Sequence, residues 1–376
     1  MPSGSSQATP SATGSSTAQT AAVPGRSGGS DRQRFAAHEL AIVLSHYELG
    51  TIETLQEFPR GSRKAPKLVI QTKDQQWYLL KRRARGRDDA RKVAFCHGIQ
   101  MHLADRQFPL PHLIGTREGN DSMLQHDAGI YELFEFIHGN SYDASLEATT
   151  EAGRTLALFH KLLADHRPRF SPSRGSYHNS RAVAASCNAI PTTLRKSEPD
   201  LDRAETGRVV QFLHESYQQA AKTIEDEGLS RWPPHIVHAD WHPGNMLFRG
   251  KRVVAVIDYD AARIQPRVVD AANGALQFSI LGGGDDPGSW PEYLDESRFK
   301  RFLRGYDSVP DSVLSRAELR VVPQLMVEAL IAESVIPIAA TGYFARMPGG
   351  KFLPMIERKV RWLQNNAEKL IAMVEG

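Results

Sequence analysis

The sequence predicts an α+β protein, with a small antiparallel sheet in its first part and mainly helices in its second part. Two short β-rich runs, residues 67–72 and 76–80, are separated by Lys73-Asp74-Gln75, which is the pattern of a hairpin. After about residue 144, apolar residues recur mostly at helical intervals. The chain therefore divides into a strand-rich part and a helix-rich part, and it shows no internal repeat.

The remaining elements follow from the spacing of apolar residues. Helical intervals predict helices over residues 38–47, 88–103, 144–164, 202–225, 268–281, 315–340 and 352–374. Another short apolar segment covers residues 131–137 and is closed by His138-Gly139-Asn140. Segments rich in Pro, Ser, Gly and Asp predict loops over residues 167–200 and 282–292.

The composition is that of a soluble globular protein. Its 376 residues are 41% hydrophobic and 24% charged, which excludes a wholly disordered or collagen-like chain. A formal charge of +3 is too balanced to indicate nucleic-acid binding, so no nucleic-acid partner is expected. Two cysteines, Cys96 and Cys187, cannot form a disulfide framework, which favours a reducing compartment and predicts a cytoplasmic location.

The amino-terminal segment is predicted to lie outside the folded part. Residues 1–31 are mainly Ser, Thr, Ala, Gly, Pro and Gln, which bury too little apolar surface to offset the entropy lost on ordering. We therefore expect a disordered tail, and its lack of an apolar run argues against a secretory signal. The apolar stretch Met326–Ala340 contains Glu328, Glu333 and Pro337, so it predicts a buried helix rather than a membrane partner.

The densest polar cluster is His238-Ala239-Asp240-Trp241-His242-Pro243-Gly244-Asn245, which precedes an apolar strand and Asp258. A phosphoryl-transfer site needs a carboxylate that orients the acceptor hydroxyl, and oxygen ligands for Mg²⁺. Asp240, Asn245 and Asp258 supply that set. A loop and a hairpin could bring these three side chains together around one metal ion.

A hydrolytic zinc site is the rival interpretation of the same cluster. His238, Asp240 and His242 alternate, and on a strand their side chains would share one face and could bind Zn²⁺. Pro243 and Gly244 indicate a loop instead. The kinase-type interpretation is favoured because it also gives Asp258 a role.

The cluster, followed by Ile-Asp-Tyr-Asp, resembles the catalytic loop and metal aspartate of the aminoglycoside phosphotransferase superfamily, which includes choline kinases and homoserine kinases. The resemblance implies a bilobal protein-kinase-like fold. It implies a nucleotide-binding N-lobe over residues 32–138 and a C-lobe over residues 139–376 for catalysis and acceptor binding. The tail, residues 1–31, lies outside it.

The resemblance also implies roles for residues of the C-lobe. Asp240 would be the catalytic base, and Asn245 and Asp258 would bind Mg²⁺. Asp270 would steady the loop and His238 would support it by hydrogen bonding, while Asp260 is a weaker metal candidate.

In the N-lobe, the resemblance implies that ATP is bound by residues of the sheet. Lys81, at the end of Trp-Tyr-Leu-Leu-Lys, would contact the α- and β-phosphates. The turn at Gly61 and Ser62 would cover the phosphates, and adenine would bind the backbone at Glu135 and Ile137. ATP and Mg²⁺ are therefore the expected cofactors.

One departure from the pattern concerns the glutamate that normally pairs with the lysine. The chain contains no Glu between Glu57 and Glu118, and Cys96 stands where that glutamate would align. Asp88, Asp89 and Gln100 are candidate substitutes, whereas Glu132 and Glu135 are expected to be exposed. This departure motivates an alternative, a kinase-fold binding protein with little or no activity.

The function expected from the resemblance is transfer of the γ-phosphoryl group of ATP to a hydroxyl of a small molecule. His242 occupies a position where protein kinases carry Lys, which favours a small acceptor over a protein. Acceptor contacts are expected around residues 177–188 and 282–293.

Overall fold

Five antiparallel strands form the sheet of the first part, in a computed structural model that describes residues 32–172 and 175–375. The strands are β1 (Ile52–Glu57), β2 (Lys67–Thr72), β3 (Trp77–Arg82), β4 (Leu124–His126) and β5 (Gly129–Glu135), in the spatial order β1-β2-β3-β5-β4. The predicted hairpin is confirmed as β2 and β3. β1 was not predicted because it is an edge strand whose residues are mostly exposed, so no apolar alternation marks it.

Two helices accompany the sheet, α1 (Ala37–Ser45) and α2 (Ala90–Ala104). Asp89 begins α2 by accepting hydrogen bonds from the N–H groups of Arg91 and Lys92. A small core lies between α1 and the sheet, whereas the buried face of α2 belongs to the larger core of the second part. α2 therefore links the two parts of the fold.

The second part is mainly helical, which confirms the predicted α+β bilobal architecture. Its helices are α3 (Leu146–Leu162), α4 (Arg181–Ser197), α5 (Arg203–Asp226), α6 (Arg267–Ser279), α7 (Glu296–Asp307), α8 (Arg316–Thr341) and α9 (Gly349–Glu375). Six short strands complete it: β6 (Pro234–Val237), β7 (Met246–Arg249), β8 (Arg252–Val256), β9 (Arg263–Pro266), β10 (Tyr343–Phe344) and β11 (Met347–Pro348).

The prediction of a loop over residues 167–200 is wrong, because α4 occupies much of that segment. Val183, Cys187, Ile190 and Leu194 form a buried stripe at helical spacing, although Pro191 lies within the helix. Cys187 is consequently buried in a helix and does not lie in a polar loop. Helix α7 was also not predicted.

Helix α8 is long and apolar enough to cross a membrane by length and composition alone. Most of its apolar window is buried inside the protein, as predicted for Met326–Ala340, so it is a core helix of this fold. The predicted disordered tail, residues 1–31, lies outside the described residues. By its contacts the chain divides into Met1–Arg32 and Gln33–Gly376, and all the elements above belong to the second unit.

Candidate active site

The loop after β6 is held by a buried carboxylate from the first turn of α6. Asp270 accepts hydrogen bonds from the backbone N–H groups of His238 and Ala239, at 2.8 and 2.9 Å. His160 Nε2 lies 3.2 Å from the same carboxylate. Ala239 has a φ of +61°, a strained value for a residue with a side chain, and the Asp270 contacts stabilise it. Asp270 thus steadies the loop, as the sequence predicted.

Trp241 supports the same loop from the protein interior. Its side chain is fully buried and packs edge-on against the ring of His238, with centroids 5.4 Å apart. The His238 ring is also fully buried, and its Nε2 donates to the Ile257 carbonyl at 3.3 Å. Burial lowers the pKa of His238, so its ring is neutral and supports the loop.

The carboxylate of Asp240 remains open to solvent beside this buried support, with 45% of its side chain exposed. Its Oδ2 accepts a 2.8 Å hydrogen bond from Asn245 Nδ2, and its Oδ1 lies 3.6 Å from His242 Nε2. Partial burial would raise the pKa of Asp240, but His242, His238 and Asn245 outweigh it and lower that pKa. Asp240 is therefore an accessible carboxylate that stays ionised.

The structure does not form the rival zinc site. Residues 238–242 lie in a loop rather than on a strand, and the ring of His238 is directed at a backbone carbonyl. Among residues 32–172 and 175–375, no group of three or more His, Cys, Asp or Glu side chains is placed to hold a metal ion. The alternating triad is therefore not a metal centre in this fold.

The hairpin of β7 and β8 brings Asn245 and Asp258 to the same end. Met246 pairs with Val256, and the N–H of Ile257 donates to the Asn245 carbonyl at 3.0 Å. Asp258 follows directly, with φ at +65°. Because the Asn245 amide nitrogen donates to Asp240, its amide oxygen is the atom that would bind a metal ion, and Asp258 supplies a carboxylate at the same end of the hairpin. This oxygen-donor pair fits Mg²⁺, whose other ligands are usually water and phosphate oxygens.

Lys81 lies on β3 at the centre of the sheet, and its side chain is only 18% exposed. Its Nζ is 3.7 Å from Glu132 Oε2 and 3.7 Å from Asp260 Oδ2. Lys81 is therefore not an ordinary surface lysine. The expectation that Glu132 is exposed is wrong, because the side chain is 1% exposed and paired, whereas Glu135 is half exposed as expected.

Glu132 is shared by three basic side chains. Its Oε1 accepts from Arg83 Nη2 at 2.7 Å and lies 2.7 Å from His97 Nε2. Burial would raise the pKa of Glu132, but Lys81, His97 and Arg83 hold it well below its usual range. Arg83 also donates to Asp260 Oδ1 at 2.8 Å. Lys81, Arg83, Glu132 and Asp260, which we call the lysine cluster, therefore form a compact set of two cations and two carboxylates.

The residues predicted to contact the rest of the nucleotide lie in the loop between β1 and β2 and at the end of β5. Gly61 and Ser62 are in the loop between β1 and β2, and Gly61 has a φ of +81° that favours glycine. Glu135 and Phe136 donate their N–H groups to the carbonyls of His112 and Trp77. Because these two N–H groups are already used, the backbone groups that would bind adenine are the Glu135 carbonyl and the Ile137 N–H.

A cavity of about 420 Å³ opens beside the Asp240 carboxylate. Its walls carry mainly polar side chains: Tyr177, Asp240, His242, Arg263, Gln265, Gln277 and Glu333, with Ala239. Tyr177 belongs to the segment 177–188 that the sequence predicted for acceptor binding. None of the described residues of the other predicted segment, 282–293, lines this cavity.

The carboxylate of Glu333 lies in the wall of this cavity. Solvent reaches it through the opening, yet surrounding protein and the charge of Asp240 raise the pKa of Glu333 to about 7. Gln277 Nε2 donates to Glu333 Oε2 at 2.5 Å. Arg263 faces the same space, held by its hydrogen bonds to the carbonyls of Ala261 and Gly175. The cavity therefore presents both a cation and a titratable carboxylate.

Sequence reasoning missed Arg263, Gln277, Glu333 and the role of Glu132. Gln277 and Glu333 are polar residues on the largely buried helices α6 and α8, and polar residues on such helices were a usable signal. The pairing of Glu132 depends on strand register, which no local pattern reveals.

Comparisons with known proteins agree with this geometry. A model of the phosphotransferase enzyme family (APH) matches residues 54–313. Homoserine kinase of Sinorhizobium fredii is 26% identical over 225 residues, which are 59% of this chain and 62% of that protein. The match thus spans about three fifths of the relative's length.

Solved kinase structures share the fold. Amicoumacin kinase hAmiN, solved in complex with AMP-PNP and Ca²⁺, superposes with a TM-score of 0.63 at 11% identity, covering 87% of this chain and 92% of that one. An aminoglycoside phosphotransferase from Alicyclobacillus acidocaldarius gives a TM-score of 0.63 at 17% identity, covering 93% and 99%.

Proposed function

Because the chain belongs to the phosphotransferase enzyme family, we propose that it transfers the γ-phosphoryl group of ATP to a hydroxyl of a small molecule. The observation that carries this proposal is the cavity that opens on the ionised Asp240 carboxylate, to which Asn245 donates a hydrogen bond. Residues 32–138 would bind the nucleotide, and residues 139–376 would supply catalysis and bind the acceptor.

Each polar residue of the site has a task in this reaction. The acceptor hydroxyl oxygen attacks the γ-phosphorus, the bond from phosphorus to the bridging oxygen breaks, and ADP leaves. Asp240 orients the hydroxyl and takes its proton. Asn245 and Asp258 would hold Mg²⁺, which neutralises phosphate charge when it is bound. Lys81 would contact the α- and β-phosphates, and Gly61 and Ser62 would cover them.

The cavity favours an amino alcohol that also carries a carboxylate. Glu333, when ionised, complements an ammonium group, and Arg263 complements a carboxylate. Homoserine has both charges and one hydroxyl, and the relative named above is a homoserine kinase. Both cysteines are buried and unpaired, which suits the cytoplasmic location that we infer.

The proposal is tested by measuring ADP release with matched acceptors. L-homoserine is compared with 3-amino-1-propanol, which lacks the carboxylate, and with 4-hydroxybutyrate, which lacks the ammonium group. We expect the highest kcat/KM with L-homoserine, and a kcat lowered by at least about 10²-fold in Asp240→Asn.

The inactive-binding alternative predicts a different result in the same experiment. Nucleotide would bind, as measured by calorimetry, but no hydroxyl compound would be phosphorylated. A kcat above about a tenth of the wild-type value in Asp240→Asn would contradict the role of the carboxylate. The inactive-binding alternative was motivated by the lack of a carboxylate partner for Lys81. It is less favoured because Lys81 does have such a partner, Glu132, in this fold.

A further inference from the structure

We propose that Glu132, on β5, replaces the missing helix carboxylate and is the positioning residue that holds Lys81 for the nucleotide phosphates. The inference deepens the proposed function and rests on it. The resemblance implies that a carboxylate on helix α2 pairs with Lys81. The inference gives that pairing to a residue of the sheet instead.

Strand register places the two side chains side by side. Lys81 is directly opposite Glu132 in the antiparallel pair of β3 and β5. Residues that are directly opposite in such a pair have side chains on the same face of the sheet. The position of Glu132 is therefore determined by backbone hydrogen bonds, and it does not depend on how α2 packs.

The two oxygens of Glu132 have different partners. Oε1 is occupied by Arg83 and His97, both at 2.7 Å. Oε2 faces Lys81 Nζ at 3.7 Å and has no hydrogen-bond partner among the residues that the structure describes. A buried carboxylate oxygen without a donor is costly, so this oxygen is suited to accept from Lys81.

Helix α2 supplies no carboxylate at this place. Cys96 donates its Sγ–H to the Tyr259 carbonyl at 3.2 Å, and burial raises the pKa of this thiol to about 12, so it stays neutral. The proposed substitutes are used elsewhere. Asp89 caps α2, Asp88 accepts from the Gly86 N–H, and Gln100 Nε2 donates to the Cys96 carbonyl.

The helix contributes a histidine instead. His97 Nε2 contacts Glu132, and its Nδ1 contacts Ser122 Oγ at 2.8 Å. Helix α2 therefore holds the carboxylate in place rather than providing it. Asp260 also lies 3.7 Å from Lys81, but it is 20% exposed and follows Asp258, the proposed metal ligand, in its loop. Glu132 is the partner that is buried and anchored in the same sheet as Lys81.

Glu132→Gln tests this inference, since it removes the charge and keeps the shape. The affinity for ADP without metal is measured by calorimetry, together with KM for ATP and kcat. We expect ADP to bind at least about tenfold more weakly and KM for ATP to rise, because Lys81 loses its anchor. Glu318→Gln is the matched control, because Glu318 pairs with Arg267 at 2.9 Å and is 14% exposed. It should change the affinity by less than about twofold.

Lys81→Met separates positioning from general structural damage. If Glu132 acts through Lys81, adding Glu132→Gln to Lys81→Met weakens ADP binding little further. Equal losses in both backgrounds, or unchanged affinity in Glu132→Gln, would overturn the inference. If Glu132→Gln does not fold, Glu132→Asp replaces it, because it keeps the charge but withdraws the oxygen from Lys81. Unchanged affinity there would also overturn it.

The failure of this inference can be told apart from failure of the proposed function. A wild-type protein that binds ADP and phosphorylates an acceptor, with unchanged affinity in Glu132→Gln, refutes only the role of Glu132. A wild-type protein that binds no nucleotide refutes both.

Discussion

The lysine cluster and the cavity beside Asp240 differ in how their charges are balanced. In the lysine cluster, Lys81 and Arg83 face Glu132 and Asp260, and the side chains are at most 20% exposed. In the cavity, Asp240 and Glu333 are reached by solvent, although surrounding protein and the charge of Asp240 raise the pKa of Glu333 to about 7. The protein therefore neutralises charge internally in the lysine cluster, and leaves carboxylate charge open to solvent in the cavity beside Asp240.

Removing the charge of Asp240 should have the largest effect, and this effect belongs to the cavity. Asp240→Asn should lower kcat by about 10²–10⁴-fold, because the acceptor hydroxyl loses its base. ADP affinity should stay within about twofold, since Asp240 is not in the lysine cluster. Steady-state kinetics and calorimetry check both values, with the 72% exposed Asp165 changed to Asn as control. A variant that kept more than a tenth of wild-type kcat would contradict this role.

The second-largest difference between the lysine cluster and the cavity should be in the free energy of unfolding. Glu132→Ala leaves Arg83, which is 6% exposed, without its buried partner, and should lower the free energy of unfolding by about 3–5 kcal/mol. Glu333→Ala should change it by less than about 0.5 kcal/mol, because that carboxylate is reached by solvent. Urea denaturation measures both. Equal losses would show that the lysine cluster contributes no more to folding than the cavity wall does.

The pH dependence of acceptor binding should sharpen the comparison. The raised pKa of Glu333, about 7, means that its carboxyl is neutral below that pH and anionic above it. The KM for an ammonium-bearing acceptor should therefore rise by roughly tenfold from about pH 8 to about pH 6. Glu333→Gln should flatten this profile. A slope that persists in the variant would point to His242, whose pKa the neighbouring Asp240 raises despite partial burial.

Glycine substitutions in the first part should have the smallest effect. Gly61→Ala and Gly86→Ala both place a side chain at positive φ, +81° and +85°, and each should cost about 1–2 kcal/mol of stability. Only at Gly61 would the new Cβ meet another side chain, Lys67 Nζ at 2.9 Å. KM for ATP should rise a few-fold in Gly61→Ala and stay unchanged in Gly86→Ala. Equal KM values in the two variants would show that the β1–β2 loop does not contribute to nucleotide binding.

The sequence predicted more of the site residues in the loop after β6 than in the sheet. Asp240, Asn245 and Asp258 lie close along the chain, so a loop and one hairpin suffice to assemble them. Their catalytic and metal-binding roles stay predictions, as do those of Lys81, Gly61, Ser62, Glu135 and Ile137. Helix α4 was missed because its Pro191 and small polar residues resemble a loop, although its buried stripe is helical.

The sequence by itself determined the family, the α+β organisation and the local groups of site residues, because helical periodicity, turn residues and short motifs act over a few neighbouring residues. Only the tertiary structure decided that Glu132 partners Lys81 and that Arg263 and Glu333 share the cavity with Asp240. Those contacts join residues far apart in the chain. They depend on strand register and on helix packing, which are selected by burial over the whole core rather than by any local pattern.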